Sequence, residues 1–165
     1  MHLAFPLAAS TAALLALAGC GDPQPLYVDG GYVRLNANPS GPSAAYFTIH
    51  GGDKPVVLRD ITTDAAVRLE MHESKTQNGM ASMEEIDTVD VPAGEKITFA
   101  PGGKHIMLWQ INPQAVAAGK MTFTFIFSNG DRILADAVIE NPDGSASAAG
   151  NTTAANAAAD EHAGH

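Results

Sequence analysis

His72 closes the run Val67-Arg68-Leu69-Glu70-Met71-His72, in which apolar and polar residues alternate with a period of two. In a β-strand that period puts Val67, Leu69 and Met71 on one face and Arg68, Glu70 and His72 on the other. The apolar face turns toward a core, so His72 faces out. The same arithmetic in His105-Ile106-Met107-Leu108 sets His105 and Met107 side by side, with Ile106 and Leu108 on the opposite, inward face. A lone histidine is most often solvated or satisfied by hydrogen bonds, and a lone methionine most often fills a gap in a core. Two outward histidines and a methionine that the strand pattern denies to the core are together hard to explain by packing.

Imidazole and thioether are soft, neutral donors. Such a set selects Cu(I) over Zn(II), Mg(II) or Ca(II), which prefer thiolates or harder oxygen ligands, and it leaves the site with the charge of the metal alone. Cys20 is the only cysteine, so the folded domain holds no disulfide, iron–sulfur cluster, zinc-thiolate site or redox dithiol. A blue-copper electron-transfer centre, which needs a cysteine sulfur beside two histidines, is excluded on the same ground. The sequence offers no cysteine nucleophile, Ser-His-Asp spacing, phosphate loop or metal triad left open for a substrate water, and reads as a binding protein, not an enzyme.

These residues need strands to hold them. The 165 residues, 45% hydrophobic and 16% charged, suffice for one ordinary domain with short appendages. From Leu26 to about residue 141 short β-branched and aromatic runs are broken by Gly, Pro, Asn and Asp, the pattern of an all-β sandwich or barrel. Strands are expected at Tyr27–Leu35, Ala45–His50, Pro55–Ile61, Val67–His72, Thr88–Val91, Lys96–Phe99, His105–Gln110, Met121–Phe127 and Arg132–Ile139. The last two form a hairpin, because Phe123, Phe125 and Phe127 alternate and Ser128-Asn129-Gly130-Asp131 tolerates positive φ. Only Gln114–Ala118 reads as helical, and the stretch Gln77 to Met83 reads as a loop.

Before the domain, the apolar stretch Leu3 to Leu17 runs into Leu17-Ala18-Gly19-Cys20 and reads as an export signal over residues 1–19, although only Met1 and His2 precede the apolar run. Leu-Ala-Gly-Cys resembles the lipobox of bacterial lipoproteins, which implies a lipidated Cys20 as the anchor and residues 20–25 as a linker. Asp22 follows Cys20 by two positions, so inner-membrane retention is not clearly signalled. Residues 142–165 collapse to small and polar types and read as a disordered tail. The net charge of -9, with nine Lys and Arg scattered singly, argues against nucleic acid and suits cations or basic patches on partner proteins. Membrane contact is expected through the lipid anchor only.

The string His72-x10-Met83-x21-His105-x-Met107 resembles the H(M)-x10-M-x21-H-x-M pattern of the periplasmic CuA copper chaperones, the PCu(A)C family. Ala45-Tyr46-Phe47-Thr48-Ile49, Met71-His72-Glu73, Val91-Pro92-Ala93-Gly94-Glu95 and Pro101-Gly102-Gly103-Lys104-His105 look like the same family, over residues 26 to 140. The resemblance implies a cupredoxin-like Greek-key β-barrel or sandwich with an exposed Cu(I) site made by His72, Met83, His105 and Met107. It also implies delivery of copper toward the CuA centre of cytochrome c oxidase, with the oxidase subunit or its assembly factors as partners. A copper buffer or resistance protein would use the same site. A metal-free β-sandwich interaction module would bind no Cu(I).

Other candidates are weaker. Met80 stands close to Met83 and could reach the same metal, although packing or shielding is the plainer role. Met71 and Met121 read as structural, and His50 ends a strand without a visible partner. His162 and His165 form an H-x-x-H pair beside Asp160 and Glu161 that could hold a second, weakly bound Cu(II) or Zn(II), or simply be a solvated end. Glu84, Glu85, Asp87 and Asp90 could favour a cation or a basic docking surface, but such charge runs mostly face water.

Overall fold

The computed structural model describes residues 23–77 and 79–147. The export signal, Cys20 and the His162/His165 pair lie outside them. Among the described residues the fold is all-β with one short helix. In chain order the elements are β1 (Tyr27–Arg34), β2 (Ser43–His50), β3 (Val56–Thr62), β4 (Ala66–Gln77), β5 (Met80–Glu85), β6 (Val89–Val91), β7 (Lys96–Thr98), β8 (Lys104–Ile111), α1 (Pro113–Ala118), β9 (Lys120–Phe127) and β10 (Arg132–Glu140).

All strands belong to one sheet of order β5-β4-β8-β2-β1-β10-β9-β3-β6, with β7 added onto β2. Pairing is antiparallel except between β1 and β10. Strict alternation decides which side of each strand turns inward. In β2 Ser43, Ala45, Phe47 and Ile49 are buried, and in β9 Met121, Phe123, Phe125 and Phe127 are. Phe47 meets Phe123 and Phe125 edge-on, each at 4.9 Å between ring centroids. Strands β2 and β9 are three places apart in the sheet, about 14 Å if it were flat. The sheet therefore curls over a common core, as a sandwich does. It does not close: β5 and β6 end the path, and a cleft of about 290 Å³ opens between Arg59–Ile61 of β3 and Leu69–Met71 of β4.

The β9–β10 hairpin turns where expected, with Gly130 at φ 92 and the Asn129 side chain accepting from the Asp131 amide. The brief helix α1 starts one residue before the stretch expected, capped by Asn112 and stopped by Gly119 in the left-handed region. Met71 and Met121 are core residues.

Four expectations need correction. Val67, expected to face the core with Leu69 and Met71, is 75% exposed, and Ala65, Ala66 and Leu69 pack against the core around it. The stretch read as a loop before Met83 is a hairpin: β4 runs on to Gln77 and β5 returns from Met80 to Glu85. This ribbon carries no apolar alternation because it extends past the core, so only its backbone ladder and cross-strand ion pairs define it. Residues 142–147, assigned to the tail, fold back: Ala146 bridges Glu140, and the Ser147 amide donates to the Ile139 carbonyl. His50 has partners after all, stacking on Tyr27 at 4.0 Å and meeting Asp29 Oδ1 at 2.9 Å through Nε2.

Candidate metal centre

The site lies on the outer face of three adjacent strands, β5, β4 and β8. Register pairs His72 of β4 directly with His105 of β8, and Glu70 with Met107. On the other side of β4, Met83 pairs with Ser74, which shares a face with His72. The core side of β4 and β8 is taken by Leu69, Met71, Ile106 and Leu108, so burial fixes the direction of His72, His105 and Met107, while Met83 joins their face only through its pairing with Ser74.

The rings of His72 and His105 lie 6.0 Å apart, inclined by 28°. His105 is 8% exposed, whereas Met83 is 53% exposed and covers it from the solvent side. Met83 Sδ approaches His105 Nε2 to 3.3 Å. Met107 occupies the same face two residues beyond His105, partly buried between Glu70 of β4 and Ala44 of β2. Met80 is excluded from this group: pairing with Gln77 turns it to the opposite face of β5 from Met83, at the exposed end of the ribbon.

The hydrogen bonds around the two rings bear on what they can bind. The Gly103 carbonyl accepts from His105 Nδ1 at 2.9 Å, so in the neutral ring the lone pair is on Nε2. A thioether sulfur is also an electron-pair donor, so Nε2 and Met83 Sδ face each other as two donors with no proton between them. A metal held by a nitrogen at about 2.0 Å and a sulfur at about 2.3 Å with a tetrahedral angle sets them about 3.5 Å apart. The observed 3.3 Å is close to that. His72 Nδ1 is buried and has no hydrogen-bond partner, the kind of atom a metal would satisfy. Among the described residues no three His, Cys, Asp or Glu side chains gather into a metal-holding group, so a site here depends on its sulfurs.

The opposite face of the ribbon is a chain of ion pairs. Lys104 donates to Glu73, and Lys75 bridges Glu73 at 3.3 Å and Glu84 at 3.2 Å. The Lys104 hydrogen bond, helped by Lys75, holds the Glu73 carboxyl below its ordinary range. The same contacts raise Lys75, Glu84 first and Glu73 second. Of the acidic run after Met83, Glu84 is thus engaged with Lys75, while Glu85, Asp87 and Asp90 are exposed.

A family model described as "Putative lipoprotein LpqE-like" matches residues 26–139, the whole β-domain. The chain belongs to this LpqE-like family. Among individual proteins it is similar to "Putative lipoprotein Lxx21020" of Leifsonia xyli subsp. xyli, 34% identical over 131 residues, covering 72% of this chain and 79% of that one. It is also similar to the uncharacterized protein RP573 of Rickettsia prowazekii, 28% identical over 101 residues, 60% of this chain and 56% of that one. Among solved structures, the copper-bound PCuAC domain from PmoF2 superposes with a TM-score of 0.56 at 19% identity, covering 70% of this chain and 92% of that one. Cu(I)-bound DR1885 of Deinococcus radiodurans does so with a TM-score of 0.55 at 23% identity, covering 74% and 82%. At these identities the LpqE-like β-domain is shown to share the fold of PCuAC domains.

Glu70 reads from the sequence only as an outward charge. In the structure its Oε2 lies 3.1 Å from His72 Nε2. The alternation signals that the two share a face, but not that they touch.

Proposed function

We propose that this LpqE-like chain is a periplasmic Cu(I)-binding lipoprotein that carries one copper ion on His72, Met83, His105 and Met107 and hands it to another copper protein. The observation that carries the reading is the approach of Met83 Sδ to the lone-pair nitrogen of His105 at 3.3 Å. Two imidazoles and two thioethers on one outward sheet face are suited to Cu(I) and poorly suited to hard divalent ions. The ion is cargo, and the arrangement favours release. Met83 is half exposed and sits on a ribbon beyond the core, so an incoming ligand can displace it first while the histidines still hold the metal. The fold shared with the copper-bound PCuAC domain from PmoF2 and with Cu(I)-bound DR1885 supports the reading, as does the ligand spacing. Cys20 would tether the domain to the membrane, and the CuA centre of cytochrome c oxidase is the recipient that the spacing resemblance implies.

The test is an anaerobic Cu(I) competition titration of the exported chain carrying Cys20→Ala, beside a variant that also lacks His72, Met83, His105 and Met107. One tight equivalent, lost in the variant, is expected; no competition by the intact chain overturns the reading. Mixing the loaded chain with an apo CuA domain should then move the copper across. Retention of the ion would instead identify a buffer.

A further inference from the structure

We infer that the two histidines present opposite ring nitrogens to the copper ion, His72 through Nδ1 and His105 through Nε2, and that Glu70 is the positioning residue that sets this for His72. The inference rests on the Cu(I) reading above and specifies how that site is held.

An imidazole that hydrogen-bonds through one nitrogen has only the other left for a metal, and the partner decides which. For His105 the partner is main chain, the Gly103 carbonyl at Nδ1, so Nε2 is left toward Met83. For His72 the partner is a side chain. Glu70 Oε2 lies 3.1 Å from Nε2. An ionised carboxylate only accepts, so the ring proton sits on Nε2 and the lone pair on Nδ1. That Nδ1 is buried and has no hydrogen-bond partner.

Glu70 is itself held in place. Its Oε1 lies 3.4 Å from Arg68 Nε. The Arg68 guanidinium in turn stacks over the Trp109 ring, 3.8 Å from its centroid. Trp109, Arg68, Glu70 and His72 therefore form one chain of contacts across the outer faces of β8 and β4, which pair Arg68 with Trp109 and Glu70 with Met107. Glu70 also places one negative charge beside a ligand set that has none of its own, where it offsets the charge of Cu(I).

The test is long-range proton–nitrogen NMR of the ¹⁵N-histidine-labelled chain before and after anaerobic Cu(I) loading; Cu(I) is diamagnetic, so the ligating nitrogen is read directly. The apo chain should show His72 protonated at Nε2, and loading should move His72 Nδ1 and His105 Nε2. Glu70→Leu should leave His72 as a mixture of tautomers and weaken Cu(I) binding about 10–100-fold, the range usual for loss of such an orienting partner. Glu70→Gln, which keeps an acceptor oxygen, should restore the tautomer and most of the affinity, and His105 should keep its tautomer in both variants. A metal-induced shift at His72 Nε2, or unchanged affinity and tautomer in Glu70→Leu, overturns the assignment while the Cu(I) site stands. Absence of any response at His72, His105 and the methionine methyls overturns the Cu(I) reading, and the inference with it.

Discussion

His72 and His105 are directly opposed across β4 and β8, 6.0 Å between ring centroids, and each is fixed by a different kind of partner. Ligands that share one ion act as a unit, so removing either histidine should cost nearly as much Cu(I) affinity as removing both. A double-mutant cycle of His72→Ala and His105→Ala, read by Cu(I) competition, should show a coupling of about 1–3 kcal/mol, the upper range for residues in contact. Additive losses would mean that the two rings do not share a metal.

Met83 should separate binding from folding. Its side chain is 53% exposed and contributes nothing to the core, so Met83→Ala should change unfolding stability by no more than about 0.5 kcal/mol. The same change should weaken Cu(I) binding by about tenfold or more, equivalent to about 1.4 kcal/mol. Chemical denaturation and Cu(I) competition on one preparation check both halves.

The uneven legibility of this site in the sequence has a physical cause. Leu69–His72 and His105–Leu108 each have one face in the core, so their alternation alone places His72, His105 and Met107 on the outer face of the sheet. Met83 lies on a ribbon with no core face, where hydrophobic period carries no information, and only its spacing to the other ligands points to it. The dipeptide Asn78-Gly79 is the local hint that the supposed loop is a hairpin, since a two-residue turn of this type favours positive φ, as Gly79 has at 77. The contacts of Glu70 with His72 and of Asp29 with His50 depend on rotamers and on neighbouring strands. A reading along one strand does not reach them.

The curled core makes a prediction that is independent of metal. Phe47 is 1% exposed and lies against both Phe123 and Phe125 across the fold. Phe47→Ala should destabilise the domain by about 3–5 kcal/mol. Gly31 is tied to the same contact, because a Cβ there would collide with the Asp136 carbonyl and the Phe47 ring. Gly31→Ala should therefore also lower the denaturation midpoint, although it adds only one methyl group. A neutral Gly31→Ala would show that β1 can shift against β10.

Tyr46 gives a pH dependence with a defined sign. Burial, and next the neighbouring Tyr32, raise its phenol above the ordinary value of 10.0, against the opposing effect of Arg34. The unfolded chain then loses this proton at a lower pH than the folded one. The contribution to stability is whole below the ordinary tyrosine range and is lost as pH rises through it toward the folded value. Denaturation midpoints should fall more steeply above about pH 10 in the wild type than in Tyr46→Phe. Parallel curves would show that Tyr46 is not the group responsible.

The last prediction concerns the ribbon that carries Met83. Register sets Glu73 directly opposite Glu84, a like-charge pair that destabilises an antiparallel ladder unless a cation is shared between them. Lys75 is that cation, within 3.3 Å of Glu73 and 3.2 Å of Glu84. Lys75→Gln should leave the two carboxylates facing each other and open the ribbon more often. Amide exchange at Ser74–Gln77 and Met80–Glu84 should then quicken while the core amides of β2 and β9 keep their rates. High salt should narrow the gap between variant and wild type, because the ion pairs of Lys75 lie at the surface, where salt screens them. Met83 would spend less time over His105, so Cu(I) should leave Lys75→Gln faster than it leaves the wild type. Faster exchange with unchanged copper release would mean that the histidines and Met107 hold the ion without help from the ribbon.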